Sequence, residues 1–163
     1  MKIDVQDLLT GKSESKIVSE DFNLKTLDFN NIEYSFEGPI HIEGTLKKSE
    51  DGIVFKGNIL AKVKTVCSRC LDEVVKDLNI DFEEEFKKTQ DELGYTISDK
   101  HIDITKLIED NIFLNVPLKT LCSESCKGLC PVCGTNLNKS TCSCDTQIID
   151  PRLEKLKNFF NRD

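Results

Sequence analysis

Six of the chain's eight cysteines fall between Leu121 and Asp145, and thiolates at that density are metal ligands before they are anything else. The centre of the run is Cys130-Pro131-Val132-Cys133-Gly134. Its two-residue spacer turns both sulfurs toward one point, and Gly134 permits the tight backbone bend behind them. This is a zinc knuckle. Further on, Cys142-Ser143-Cys144 supplies a second pair, and an extended segment would point both of these thiols to the same side. Cys130, Cys133, Cys142 and Cys144 together make a tetrahedral shell for one Zn2+. Four thiolates close that shell to water and substrate, so the implied chemistry is structural rather than catalytic.

The remaining thiols, Cys67, Cys70, Cys122 and Cys126, could form a second four-thiolate site, bringing the count of Zn2+ from one to two. The alternative is that Cys122 or Cys126 is a spare thiol. A redox reading of Cys67-Ser68-Arg69-Cys70 is weaker, because the redox motif opens a helix in a βαβ unit and this one falls in a hairpin turn. The chain of 163 residues has no apolar run of membrane-spanning length, and Met1 to Asp7 is too charged to begin a signal peptide. A cytoplasmic location is expected, and there thiols stay reduced and bind metal in preference to forming disulfides.

Other catalytic vocabulary is sparse. Of 2 histidines, His41 falls on a polar strand face and His101 in a polar lead-in to a helix, and neither has a nucleophile as partner. Glu83-Glu84-Glu85 and Glu109-Asp110 read as solvated charges, and there is no glycine-rich phosphate loop. An enzyme with a small-molecule substrate is therefore not expected. The formal net charge of -7 argues against polyanion binding by the chain as a whole, but the charge is uneven. Residues 72–110 carry 13 acidic side chains against 5 lysines, whereas residues 40–71 carry 6 basic against 3 acidic. Lys47 and Lys56 are expected to face each other across a hairpin, with Lys62, Lys64 and Arg69 continuing along the same wet side, a stripe suited to phosphate.

The elements that must position these groups are mostly strands. Ile40, Ile42, Gly44 and Leu46 share one face of a first run, and Ile53, Phe55, Gly57, Ile59, Ala61 and Val63 share one face of a second. Asp51-Gly52 predicts a two-residue hairpin turn, which sets Leu46 opposite Gly57 and Ile42 opposite Ala61. Ser68-Arg69 predicts the next turn, into a strand through Val74, Leu78, Ile80, Phe82 and Phe86. Before this meander, Asp4 caps a short helical turn ended by Gly11, residues 12–16 read as loose, and Phe22 to Phe36 alternate as short strands broken at Asn30-Asn31. After it, Lys87 to Lys100 reads as a polar connection, Asp103 caps a helix through Ile104, Leu107, Ile108 and Ile112, and Pro117 ends it. Asp150-Pro151 opens a last helix lined by Leu153, Leu156, Phe159 and Phe160.

Val66-Cys67-Ser68-Arg69-Cys70-Leu71, the helix leading to Asn115-Val116-Pro117-Leu118, the run Cys126-Lys127-Gly128-Leu129-Cys130-Pro131-Val132-Cys133-Gly134-Thr135-Asn136-Leu137-Asn138 and Asp150-Pro151-Arg152 together resemble the YceD family, implicated in accumulation of large-subunit ribosomal RNA. The resemblance implies a role in ribosome biogenesis with no known catalytic activity, and large-subunit rRNA or ribosomal assembly proteins as partners. Some members keep the C-x-R-C hairpin without the C-terminal cysteines, which implies that zinc stabilises or adds a contact and is not the shared activity. The expected architecture is α+β: an antiparallel β meander flanked by helices over residues 1–116, with a C-terminal cysteine-rich zinc module and helix over residues 117–163 packed on the same domain. The alternative function is a zinc-dependent thiol sensor or redox protein. A third is a zinc-ribbon adaptor that meets another protein through the acidic segment.

Overall fold

A computed structural model describes residues 1–29, 32–88, 94–117 and 119–145. The predicted break at Asn30-Asn31 and the predicted helix after Asp150 lie outside the described residues. The chain divides into two compact units: Met1–Thr65 with Glu73–Thr120, and Val66–Asp72 with the segment from Leu121 onward.

The first unit is mostly β. Its strands are β1 (Lys2–Asp4), β2 (Ser15–Phe22), β3 (Thr26–Phe29), β4 (Ile32–Phe36), β5 (Ile40–Lys48), β6 (Gly52–Val66), β7 (Glu73–Lys87), β8 (Tyr95–Ser98) and β9 (His101–Asp103), with helices α1 (Gln6–Leu9) and α2 (Thr105–Asn115). β6 is the spine. Residues 53–60 of it pair with β5, Val63 and Lys64 pair with β4, and β7 lies alongside as a further neighbour. From β7 the sheet continues through β8 and β9 to β1, while β2 extends it from β5. The predicted meander is therefore only the centre of a larger sheet that branches at β6. Among the described pairings, β8 departs from the antiparallel pattern and runs parallel to β7, with Phe86 beside Tyr95.

The apolar faces fall where alternation places them. Ile40, Ile42, Leu46, Ile53, Phe55, Ile59 and Val63 are all fully buried, and the rings of Phe55 and Phe82 meet edge to face at 4.9 Å. Burying side chains of this size is worth about 1.5–3 kcal/mol each, which is what holds the two longest strands in one face-to-core orientation. The register, however, differs from the predicted one by two positions. Ile42 pairs with Ile59, Gly44 with Gly57 and Leu46 with Phe55, and the connection is the four residues from Ser49 to Gly52, closed by the Ser49 N–H to the Gly52 carbonyl at 3.0 Å. A shift of two keeps every side chain on its face, so hydrophobicity does not distinguish the two registers. The glycines do. A Cβ on Gly57 would collide with the Glu43 carbonyl oxygen, and one on Gly44 would meet Phe55 at 2.9 Å, so this pairing needs both to be bare. Neither Asp51 nor Gly52 adopts the positive φ that a two-residue turn would require.

Two stretches read as loose or polar are strands. β2 begins at Ser15 and pairs with β5 from Ile40 to Lys47, and Tyr95–Ser98 and His101–Asp103 form β8 and β9 rather than a plain connection. Short elements close the core around α2, whose Leu107, Ile108 and Ile112 are fully buried against β7. β1 and β9 pair as near copies of each other: the Val5 N–H reaches the Lys100 carbonyl and the Ile104 N–H the Met1 carbonyl. Each then leads into a helix whose N-cap is the residue after the expected aspartate, Val5 and Ile104, neither with a side-chain cap. The aspartates lie one position outside and accept from the first helical amide, Asp4 from Gln6 at 2.8 Å and Asp103 from Thr105 at 2.9 Å.

Candidate metal centres

All eight thiols belong to the second unit, because the hairpin tip Val66–Asp72 is counted with the C-terminal segment. They gather into two sets, Cys67, Cys70, Cys122 and Cys126, and Cys130, Cys133, Cys142 and Cys144, each with its sulfurs within 4.8 Å of one another. The second is the set expected from spacing, and the first is the further set that the sequence left open against a spare Cys122 or Cys126.

Each set is built on a knuckle, and the two knuckles fold alike. In the first, the Leu71 N–H donates to the Cys67 carbonyl at 2.9 Å and the Cys67 N–H to the Asp72 carbonyl at 2.8 Å. In the second, the Gly134 N–H donates to the Cys130 carbonyl at 2.9 Å and the Cys130 N–H to the Thr135 carbonyl at 2.8 Å. The residue after the second cysteine takes a left-handed conformation in both, with φ of 60° at Leu71 and 73° at Gly134. The next residue then brings an oxygen to that cysteine: Asp72 Oδ2 lies 3.5 Å from Cys70 Sγ, and Thr135 Oγ1 lies 3.1 Å from Cys133 Sγ.

Hydrogen bonds knit the two segments of the unit together. The Leu129 N–H donates to the Arg69 carbonyl, and Gly128 lies so close that an added Cβ would stand 3.1 Å from that oxygen. The Arg69 guanidinium donates from Nη1 to the Cys126 carbonyl at 2.9 Å. Asp72 accepts from Asn136 at 3.1 Å and from Lys139 at 2.8 Å, while Asn138 donates to Cys126 Sγ at 3.3 Å. The roles of Asp72, Asn136, Asn138 and Lys139 had no reading in the sequence. The signal available was the pair of asparagines two residues apart directly after the second knuckle.

The thiols in contact resist sharing negative charge. Cys67 is lowered to about 6, chiefly by the Cys70 amide working against burial. Cys70 is pushed up to about 12: the Asp72 amide draws it down, but burial and the other three thiols outweigh that. The second set repeats the split, with Cys133 lowered to about 6 by the Thr135 hydroxyl and amide, and Cys144 raised to about 12 first by Cys133 and then by burial. In each set some thiols are lowered while their neighbours are raised, Cys126 down and Cys122 up in the first and Cys142 up in the second, which is the opposition a cation would relieve. The donor sets fit Zn2+ on chemistry and on spacing, since sulfurs about 2.3 Å from a tetrahedral ion stand roughly 3.8 Å apart.

The basic stripe is arranged differently from its expected form. Lys47 is opposite Val54 and Lys56 opposite Thr45, so the two lysines do not oppose each other across the hairpin; the two-position register shift separates them. Lys56 pairs with Glu83 at 2.7 Å, Lys62 lies 3.9 Å from Asp77, and Lys64 is opposite Ser35. Thr45, Lys47, Lys48, Val54, Lys56 and Glu83 line an open cavity of about 440 Å3. Arg69 belongs to the cysteine unit through its bond to Cys126. His41 is held by Asp21 at 2.7 Å. No helix among the described residues is long and apolar enough to cross a membrane.

Residues 55–160 match the family described as Large ribosomal RNA subunit accumulation protein YceD. A protein of Zea mays, "Large ribosomal RNA subunit accumulation protein YCED homolog 1, chloroplastic", is 44% identical over 71 residues, which are 43% of this chain and 24% of that protein. Its namesake in Arabidopsis thaliana is 37% identical over 70 residues, 43% of this chain and 22% of that one. The match thus spans under a quarter of the length of these plant relatives. "Uncharacterized protein YlbN" of Bacillus subtilis is 25% identical over 169 residues, covering 100% of this chain and 98% of its own. No solved structure matches the chain. With its family match running from β6 through both cysteine sets, the chain belongs to the YceD family.

Proposed function

We propose that this chain acts in the accumulation of large-subunit ribosomal RNA, supporting the synthesis, processing or stability of that RNA without catalysing a reaction on it. The observation that carries the reading is the family match over residues 55–160, together with the names of the maize and Arabidopsis relatives. The site chemistry supports a binding role. The set Cys130, Cys133, Cys142 and Cys144 is a structural Zn2+ site, because four thiolates leave the ion no open position for a reacting group. The direct contact is with RNA phosphates at Lys47, Lys56, Lys62 and Lys64, with Lys48 added by its place in the cavity at the β5–β6 hairpin. Ribosomal assembly proteins are the other class of partner.

The test is genetic. Removing the protein from a cell that makes it should lower full-length large-subunit rRNA and mature large subunits relative to the small subunit, and the intact gene should restore the balance. An unchanged ratio of the two subunits in the deletion strain would sink the reading.

A further inference from the structure

We infer that Cys67, Cys70, Cys122 and Cys126 bind a Zn2+ ion of their own, so that the cysteine unit is a tandem of two separate metal sites. This holds whether or not the ribosomal reading does, since it rests on the geometry of the unit alone. Cys67 Sγ is 3.8 Å from Cys126 Sγ, and Cys70 Sγ is 3.6 Å from Cys122 Sγ. Those are the edges of a tetrahedron of sulfurs about 2.3 Å from a central zinc, as opposed to the roughly 2.05 Å of a disulfide.

The knuckle at Cys67–Cys70 also repeats, bond for bond, the turn of the knuckle at Cys130–Cys133, although Leu71 stands where the second has Gly134. A turn that a leucine must enter with φ of 60° is not one the backbone adopts by default, and a shared ligand geometry accounts for it. Isolated buried cysteines behave as small apolar side chains and need no polar partners. Here Cys67, Cys70 and Cys126 are buried together, the amide of Asn138 is aimed at Cys126 Sγ, and the fourth thiol arrives from a segment more than fifty positions away from the knuckle. The redox reading fares worse, because each knuckle thiol touches a thiol of the other segment. The ion joins Val66–Asp72 to the segment from Leu121, two stretches that the sequence holds far apart.

The experiment is metal analysis of the full chain purified without oxygen. The intact protein should carry two zinc ions, and both the paired variant Cys67→Ser with Cys70→Ser and the paired variant Cys142→Ser with Cys144→Ser should fall twofold, to one. One zinc in the intact protein, or an undiminished count in the Cys67/Cys70 variant, overturns the inference. Iron in place of zinc, or two disulfides with no metal at that set, overturns it equally. Because the serine variants can lose structure, the intact chain should also be stripped and titrated with Co2+. The thiolate-to-cobalt absorption should rise until two equivalents are bound, and saturation at one equivalent counts against the second site.

Discussion

Leu71 holds the left-handed position that glycine fills in the other knuckle, and its side chain is 63% exposed. A side chain in that conformation costs about 1–2 kcal/mol, whereas glycine enters it freely and loses somewhat more entropy on folding. Leu71→Gly should therefore stabilise the cysteine unit by up to about 1 kcal/mol, the reverse of the usual effect of placing glycine in a folded chain. The midpoint of thermal unfolding with metal bound would report it, and a drop in that midpoint would show that the leucine makes contacts worth more than its strain. At this scale the sequence was legible for which thiols gather and silent about what surrounds them. Cysteine announces its chemistry and Gly134 announces a bend, but a leucine carries no mark of a positive φ. Nor does the spacing of Asp72, Asn136 and Lys139 show that they meet, because they are brought together only when the two segments fold as one unit.

At the level of elements, the paired Gly44 and Gly57 decide what hydrophobic alternation leaves open. The ring of Phe55 occupies the space above Gly44, and the Glu43 carbonyl occupies the space beside Gly57. Gly57→Ala puts a carbon against backbone that cannot rotate away, so it should cost about 3 kcal/mol, at the upper end for overpacking. Urea unfolding monitored through the sheet would measure the destabilisation, and a change under about 0.5 kcal/mol would mean that β5 and β6 slide past each other to absorb the added carbon. The long strands were legible because β5, β6 and β7 give period-two patterns many residues deep. β8 and β9 were not, since three or four residues are too few for a period to emerge, and β2 was not because Val18 alone among its residues is buried. The starts of the two helices, by contrast, were legible to within one residue from Asp4 and Asp103, because the bond from each carboxylate to the first helical amide is local, although the cap positions themselves fall at Val5 and Ile104.

On the scale of the whole chain, a protein of formal net charge -7 can meet RNA only through a local concentration of lysines. The outward residues of β7 supply the counterweight, with Glu83 on Lys56 and Asp77 beside Lys62, so phosphate must displace exposed carboxylates to bind. Such exposed pairs are screened by water and hold long side chains only loosely, so they are a small barrier to displacement. Replacing Lys47, Lys48 and Lys56 together with Gln should leave the buried face intact, weaken binding to large-subunit rRNA, and flatten its salt dependence by about one unit of slope for each phosphate that is no longer neutralised. An unchanged slope would make those lysines plain solvated surface. The split of the chain into two units bears also on how the protein is made. A ribosome delivers Cys67 and Cys70 well before Cys122 and Cys126, and at about 5–20 residues per second that interval lasts several seconds. The set at Cys130 to Cys144 is complete in about a quarter of that time, whereas the other waits longer with two sulfurs at the tip of its hairpin. Nascent chains are thus most open to oxidation or to capture of a wrong metal during that interval, at one pair of cysteines and not at the other.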